Sequence, residues 1–465
     1  MHETIYTLLE NWRREDPEAI YLEDDERTYT IEEVFQIVNS LMKQLQELNL
    51  GKEVLLRATR NVQTMLLFYS VISLGSICYL STPHEKASTF LKEQNLQLSV
   101  LSDEEGAFSF DGKPLSFTPT EERVCPQDTF EGWSFVLFTS GSTGRRKGVK
   151  LSQKSLLLGD FHTIPLADYR KDDVSGAILP LDHVFGLCLI LACLLTRHRA
   201  YFPKEMAIPS LIRHFKMHQV SRLNGVPSLY LALAMELEKQ KTSLPRLRIG
   251  LLGGSPSNKE QILILEEKLH MKLLPIYGMT ECCTISGISF LDGKDKQMNT
   301  LGRVYPHVQV CLQPIEGSPY QEILIKSEGL FLSYLEDDNP FEKDGFFHTG
   351  DIGYLDSDGY LILTGRKKDI IIRNGQNIVS RVLEDAFLIQ KEVREAAVVA
   401  KQDDKEGEIP FLFLSLKEEV EVGRLLERAN SLLKKNERVT QYRVLKDLCH
   451  TSSGKIDKVA LRELI

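Results

Sequence analysis

The sequence predicts an α/β protein in two parts. A large N-terminal domain of helix-covered, mostly parallel sheets carries a β-rich subdomain, and a small α+β C-terminal domain follows. Three observations lead there. Short apolar runs alternate with helix-period segments from residue 53 to residue 277. Near Gly302 the rhythm changes to strands separated by turns. Beyond Gly365 a second, shorter mixture of strands and helices begins.

Residues 1–16 read as an amphipathic helix with acids in it, without the basic start and apolar middle of a secretory signal. Strands are expected at 53–58, 134–139, 176–179, 200–202, 222–225, 248–252 and 273–277, where short apolar runs stand between turn residues. Helices are expected at 62–74, 153–162, 185–196, 210–218, 228–239 and 259–270. Strand, helix, strand at this spacing implies parallel sheets covered by helices. Strands at 308–312, 322–325 and 360–363 form the β-rich subdomain, about 302–365. The tail carries strands at 369–372, 396–401 and 410–416 and helices at 380–390 and 422–435. The expected division is therefore an N-terminal core, 1–366, and a C-terminal domain, 367–465.

Composition excludes several classes. Hydrophobic residues make up 42% and charged residues 26%, as in soluble globular proteins. The net charge of -9 supplies no basic field for nucleic acid. The longest apolar run, 185–195, is half of the roughly 20 residues a membrane span needs, so no span is expected. Eight cysteines occur without a C-x-x-C pair, and Cys282 and Cys283 are adjacent. A reduced, cytoplasmic protein is the simpler inference.

The sharpest chemical feature is Phe138-Thr139-Ser140-Gly141-Ser142-Thr143-Gly144-Arg145-Arg146-Lys147-Gly148. An apolar strand runs into small residues, glycines and hydroxyls. With no bulky side chains in the way, backbone N–H groups and hydroxyls can converge on phosphate oxygens. Lys147 adds charge. No G-x-x-x-x-G-K-[ST] is present, which excludes a Walker A loop. A Gly/Ser surface turn is the alternative, but linkers do not normally set hydroxyls and a basic cluster directly behind a buried strand.

This segment resembles the phosphate loop of the adenylate-forming superfamily: acyl- and aryl-CoA ligases, peptide-synthetase adenylation domains and luciferases. Five further segments resemble that family's motifs, in the family's order: Leu252-Gly253-Gly254-Ser255-Pro256, Tyr277-Gly278-Met279-Thr280-Glu281, Thr349-Gly350-Asp351, Gly365-Arg366-Lys367-Lys368-Asp369 and Ser453-Gly454-Lys455-Ile456. The resemblance covers almost the whole chain, its first hundred residues least. Size and motifs resemble the o-succinylbenzoate–CoA ligase branch.

The resemblance implies roles. Thr139, Ser140, Gly141, Ser142, Thr143, Gly144 and Lys147 hold phosphate. Gly253, Gly254 and Ser255 line adenine, and Tyr277 with Gly278 stacks on it. Thr280 contacts the α-phosphate, and Glu281 holds Mg²⁺. Asp351 and Arg366 bind ribose. Lys368 is the hinge of a mobile C-terminal domain, and Gly375 lets a pantetheine arm pass. Lys455 is the catalytic cation, placed where carboxylate and α-phosphate, both negative, must meet. Plainer readings stand beside these: a surface acid for Glu281, a turn Asp for Asp351, core packing for Tyr277, a helix cap for Thr280, a hinge-surface charge for Arg366, a turn glycine for Gly375 and an exposed tail lysine for Lys455.

His183 matches a position beside the acyl site, though a lone histidine is more often structural. Amino-acid-activating relatives carry an Asp near Val184 for the substrate ammonium, so Val184 argues against an α-amino acid. The acyl pocket is expected from Val184, Phe185, Asn224 and Gly225, and its apolar character suits an acyl or aryl acid. Ile372 stands where luciferases have a lysine, which argues against their chemistry. The reaction implied is ATP-dependent formation of an acyl-AMP with release of pyrophosphate, then transfer to the thiol of CoA. Two alternatives remain: loading a carrier-protein phosphopantetheine, with an acyl carrier protein as partner, or non-catalytic nucleotide binding. The basic residues Lys434, Lys435 and Arg438 are candidates for meeting the CoA nucleotide.

Overall fold

The computed structural model describes residues 3–104, 107–110, 112–140, 146–255, 259–337, 339–450 and 456–465. The chain forms two compact units: Met1–Val308 with Ser327–Pro340, and Gln309–Lys326 with Phe341–Ile465. The division expected at 366/367 falls inside the second unit, because the four-stranded sheet groups with the C-terminal residues. A sequence pattern marks strands but not which neighbours they pack with.

The first unit holds two sheets. The nine-stranded one runs Arg303–Val304, Cys282–Gly287, Lys272–Met279, Ile249–Leu252, Arg222–Gly225, Val174–Gly176, Arg199–Phe202, Ile20–Asp24 and Thr28–Thr30. Its six inner strands, from Lys272–Met279 to Ile20–Asp24, are parallel, with antiparallel strands at both edges. Parallel neighbours need crossovers, and the helices Val184–Thr196, Ile208–Met217, Pro227–Gln240 and Lys259–Leu269 fall between these strands in sequence. Val184–Thr196 is buried from Gly186 to Leu194, which explains its uniformly apolar sequence. Between Ile208–Met217, Pro227–Gln240 and the sheet lies a core that includes Ile212, Phe215, Leu223, Tyr230, Leu233, Leu265 and Leu273.

The eight-stranded sheet runs Ser333–Tyr334, Arg146–Ser152, Trp133–Ser140, Ile77–Ser81, Glu53–Arg57, Ser99–Glu104, Ala107–Phe110 and Lys113–Pro114. Asn61 caps Val62–Ser73 by accepting from the Thr64 N–H at 2.8 Å. This unit departs from the sequence reading in several places, among them the strands Ile20–Asp24, Ile77–Ser81 and Ser99–Glu104, which were not expected. The strand expected at 176–179 is Val174–Gly176, and the residues after it leave the sheet. The helix Ile31–Glu47, closed by a Thr30/Glu33 capping box, was not expected.

The second unit holds the other two sheets. Val308–Pro314, Gln321–Ser327, Phe347–Leu355 and Leu361–Arg366 form one. In the other, Gln376–Val379, Ile370–Arg373, Gly407–Leu416 and Val393–Asp403 are neighbours, with Gln441–Val444 paired to Gly407–Leu416. Helices Ser380–Leu388 and Val422–Ser431 pack Leu383, Phe387, Leu425 and Ala429 against Val398, Leu412 and Leu414. No described helix is long and apolar enough to cross a membrane.

Two histidines in the first unit are held neutral. His198 is 1% exposed, between Ser175 Oγ at 2.8 Å and Thr196 Oγ1, and burial with nearby Arg222 pushes it down to about 3. His307 stacks on His162 at 4.4 Å, and burial pushes it down to about 4. The unfolded chain takes up both protons near pH 6.5 and the folded chain does not. Their contribution to stability is therefore complete above about pH 6.5 and is lost as pH falls through about 4 for His307 and about 3 for His198. Urea midpoints across this range should fall with pH, and less steeply in His198→Gln; parallel slopes would remove His198 from the account.

Candidate active site

Ligands of parallel α/β sheets bind beyond the carboxyl ends of the strands. In the nine-stranded sheet, Gly225, Leu252 and Pro275 lie side by side near those ends. The residues that follow each strand are the ones the sequence singles out. Gly253 donates its N–H to the Gly225 carbonyl at 3.2 Å. A side-chain carbon on Gly253 would lie 3.1 Å from Ile276 Cγ1 and 3.4 Å from Phe185 Cε1. Gly254 has φ +80°, which favours glycine, and faces Val226. The glycine turn thus meets the expected acyl-pocket residues Phe185 and Gly225. Asn224 is buried on the neighbouring strand. Ser255 follows Gly254 and is half-buried.

His183 and Val184 stand at the start of the buried helix, both half-buried. The His183 carbonyl accepts from Gly186 N at 3.0 Å and Leu187 N at 3.3 Å. A Cβ on Gly186 would lie 2.1 Å from the Pro180 carbonyl oxygen, so only glycine lets the chain turn so tightly into this helix.

Strand Lys272–Met279 folds back on Cys282–Gly287 with Met279 opposite Cys282, leaving Thr280 and Glu281 as a two-residue turn. A Cβ on Gly278 would lie 1.9 Å from the Cys283 carbonyl oxygen, so the hairpin requires glycine there. Tyr277 and Glu281 are each 8% exposed. The surface-acid reading of Glu281 is thereby corrected: its turn folds inward. The Tyr334 hydroxyl donates to Glu281 Oε1 at 2.9 Å. Burial, then the Glu281 charge, pushes the Tyr334 phenol up, so it stays a donor.

Tyr334 pairs with Val149 across the sheet, and Lys147 Nζ sits 4.9 Å from its ring centroid. Tyr334 therefore couples Lys147 to Glu281. The sequence reading missed it, since one tyrosine 53 residues from Glu281 carries no spacing signal. Thr139 lies opposite Lys147 and Ser140 opposite Arg146, so the residues from Arg146 onward form a strand rather than a loop. Gly141, Ser142, Thr143 and Gly144 lie outside the described residues.

The second unit carries the other expected nucleotide residues. Asp351, 3% exposed, is paired across the sheet with Arg366, whose Nε lies 2.8 Å from Asp351 Oδ1. Gly350, at φ +71°, makes the kink before it and donates to Glu322 Oε1 at 3.2 Å. Asp351 is thus a strand residue, not the turn Asp of the plainer reading. Glu322, unforeseen, is 2% exposed and meets Lys367 Nζ at 2.7 Å and His348 Nδ1 at 3.1 Å. Burial alone would raise its pKa, but the bonds from Lys367 and His348 hold it below the usual range.

Lys368 is exposed in a 3-10 turn, Lys367–Asp369. Asp369 is held by Arg462 Nη2 at 3.1 Å, and Lys458 Nζ lies 2.7 Å from Glu384. Gly375 (φ +74°) and Asn374 (φ +51°) form the two-residue turn between Ile370–Arg373 and Gln376–Val379. The turn reading explains this glycine's conformation. Lys455 lies outside the described residues; His450 and Ile456, on either side of it, are bridged.

Residues 9–335 match the family described as AMP-binding enzyme, and residues 382–455 match the AMP-binding enzyme C-terminal domain. A 2-succinylbenzoate–CoA ligase of Listeria innocua is 27% identical over 449 residues, covering 93% of this chain and 94% of that one. One from Lactococcus lactis is 31% identical over 331 residues, covering 70% of each. Among solved structures, the o-succinylbenzoate CoA synthetase MenE of Bacillus subtilis, in complex with its acyl-adenylate intermediate, superposes with a TM-score of 0.84 at 22% identity, covering 99% of this chain and 98% of that one. The amide bond synthetase McbA of Marinactinospora thermotolerans superposes with a TM-score of 0.85 at 20% identity, covering 98% and 99%.

Proposed function

This chain belongs to the AMP-binding enzyme family, and we propose that it joins a carboxylic acid to AMP and then passes the acyl group to the thiol of CoA. The observation that carries the site assignment is the Glu281–Tyr334–Lys147 arrangement beside the glycine turn at the carboxyl edge of the sheet. In the first step a substrate carboxylate oxygen attacks the α-phosphorus of ATP, and the bond to pyrophosphate breaks. In the second, the thiol attacks the acyl carbon and AMP leaves with the bonding electrons.

Glu281 is a buried carboxylate with one oxygen already oriented by Tyr334, and Mg²⁺ with bound triphosphate takes one or two such ligands. The site fits the ion, which would screen phosphate charge there. Gly253 and Gly254 leave the backbone open to a flat purine, with Tyr277 as the aromatic surface. Asp351 would accept from the ribose hydroxyls, and Arg366 holds its carboxylate in place. Lys455 would face the α-phosphate. A cytoplasmic setting goes with the cysteine usage.

Phe185, Val226 and Ile276 make the crevice apolar beside the glycine turn, which favours an acyl or aryl acid. The relatives' substrate, 2-succinylbenzoate, is the first acid to test. The exposed Lys434, Lys435 and Arg438 favour CoA, with its charged nucleotide, over a carrier protein. An amide bond synthetase shares the fold, so the acceptor has to be read from products. Pyrophosphate exchange over a panel of acids, then product analysis with CoA and with a carrier protein bearing a free phosphopantetheine thiol, tests the reading. No exchange with any acid would leave only nucleotide binding.

Amino acids should be poor substrates, because Val184 offers an ammonium no partner. An apolar or aromatic acid should exceed any α-amino acid in exchange rate by at least about 10-fold, since an unpaired buried charge costs several kcal/mol. An amino acid at the head of the panel would overturn this pocket assignment.

A further inference from the structure

A cluster away from the crevice has the chemistry of a metal site. His214 and His218 stand one helical turn apart at the end of Ile208–Met217, so both face the same way. Asp25 follows the strand Ile20–Asp24, which lies beside Arg199–Phe202. His214 Nδ1 is 3.0 Å and His218 Nε2 3.9 Å from the same oxygen, Asp25 Oδ1. One ligand atom from each of the three residues lies within 4.8 Å of the others. Around a tetrahedral ion with bonds of about 2.0–2.1 Å, ligand atoms stand roughly 3.4 Å apart.

The surroundings orient these atoms. His218 Nδ1 is 2.8 Å from Glu23 Oε1, and Glu23 Oε2 meets Arg199 Nη1 at 3.1 Å. A carboxylate that accepts a hydrogen bond from Nδ1–H fixes the tautomer with the lone pair on Nε2, the arrangement that prepares histidine for a metal. That Nε2 is buried with no hydrogen-bond partner. The ring is pinned from above by Tyr201, stacked at 4.0 Å. Asp25 Oδ2 accepts from Lys204 N at 3.0 Å, which turns Oδ1 towards the imidazoles. The Tyr201 hydroxyl bonds both Asp25 Oδ1 and His214 Nδ1. A simple His–Asp ion pair does not account for His218: at 3.9 Å its Nε2 is beyond hydrogen-bond range of the carboxylate.

We infer that Asp25, His214 and His218 bind a divalent transition-metal ion, with Zn²⁺ the best match to two imidazoles and one carboxylate. The ion would staple the end of an outer sheet strand to the helix end, with Glu23 as a positioning residue. It is separate from the Mg²⁺ proposed at Glu281, an all-oxygen site.

The test uses the full chain with thiols blocked, to silence the exposed Cys125 and Cys311, in excess Mg²⁺. After chelation and dialysis against micromolar Zn²⁺, elemental analysis should find one zinc per chain. Cobalt loading should give the visible band of a low-coordinate site, and Zn²⁺ should raise the melting temperature. Both zinc and band should be lost in His214→Gln/His218→Gln. Glu23→Gln should bind about 10–100-fold more weakly. Should the double variant fail to fold, Asp25→Asn serves in its place. Retention of no zinc by the natural chain, or equal zinc in a folded variant, would overturn the assignment.

Discussion

Replacing Lys455 by alanine is expected to lower acyl-adenylate formation roughly 10²–10³-fold, the loss that follows removal of one preorganised donor from a developing charge. The reason is electrostatic. A carboxylate must approach an α-phosphate, and charge builds further as pyrophosphate leaves. Thioester formation from supplied acyl-AMP should change far less, because that step expels AMP and needs no second anion brought to phosphate. Lys368→Pro should behave differently. Proline disfavours the helical region for the residue before it, and Lys367 here opens a 3-10 turn. The substitution therefore works against the backbone seen at Lys367–Asp369 and favours whatever other conformation a hinge there adopts. One half-reaction should be lost and the other kept. Single-turnover assays of each half-reaction separate the outcomes; equal damage to both steps in both variants would refute a two-state hinge.

Glu281→Gln should lower adenylation by at least about 100-fold at saturating ATP, equivalent to about 2.7 kcal/mol of transition-state stabilisation. Glutamine keeps an acceptor for Tyr334, so the hydrogen bond at 2.9 Å survives while the charge does not. The dependence on Mg²⁺ should move to higher concentration. Tyr334→Phe keeps the charge and removes the orienting bond, and should cost about 10-fold, in keeping with a hydrogen bond to a charged group. Rates across a Mg²⁺ titration distinguish the two; an unchanged Mg²⁺ curve in Glu281→Gln would remove the metal assignment.

The glycine turns of the motif segments were readable because they are local. Gly253-Gly254 and Tyr277–Glu281 each need glycines at fixed places: Gly254 for its positive φ, Gly278 because the Cys283 carbonyl is close. The parallel character of the inner sheet was equally readable for Val174–Gly176, Arg199–Phe202, Arg222–Gly225 and Ile249–Leu252, since each is followed by a helix-period segment. Glu281 itself was readable only in part. Its place in the motif was visible, but its burial and its partner were not.

Residue type, local periodicity and motif order thus determined the α/β class, the direction of most inner strands and the position of the glycine-bearing segments at the carboxyl edge of the sheet. They act over a few residues, and backbone sterics and apolar patterning are enough to express them. Tertiary structure alone decided which distant side chains meet. Tyr334 finds Glu281 because strand Ser333–Tyr334 pairs with Arg146–Ser152. Glu322 collects Lys367 and His348 because two strands of one sheet, and the turn that follows a third, bring them to the same place. Asp25 meets His214 and His218 because its strand lies beside Arg199–Phe202. Alternation along a strand says which face a residue takes; only pairing and packing across the chain say what waits on that face.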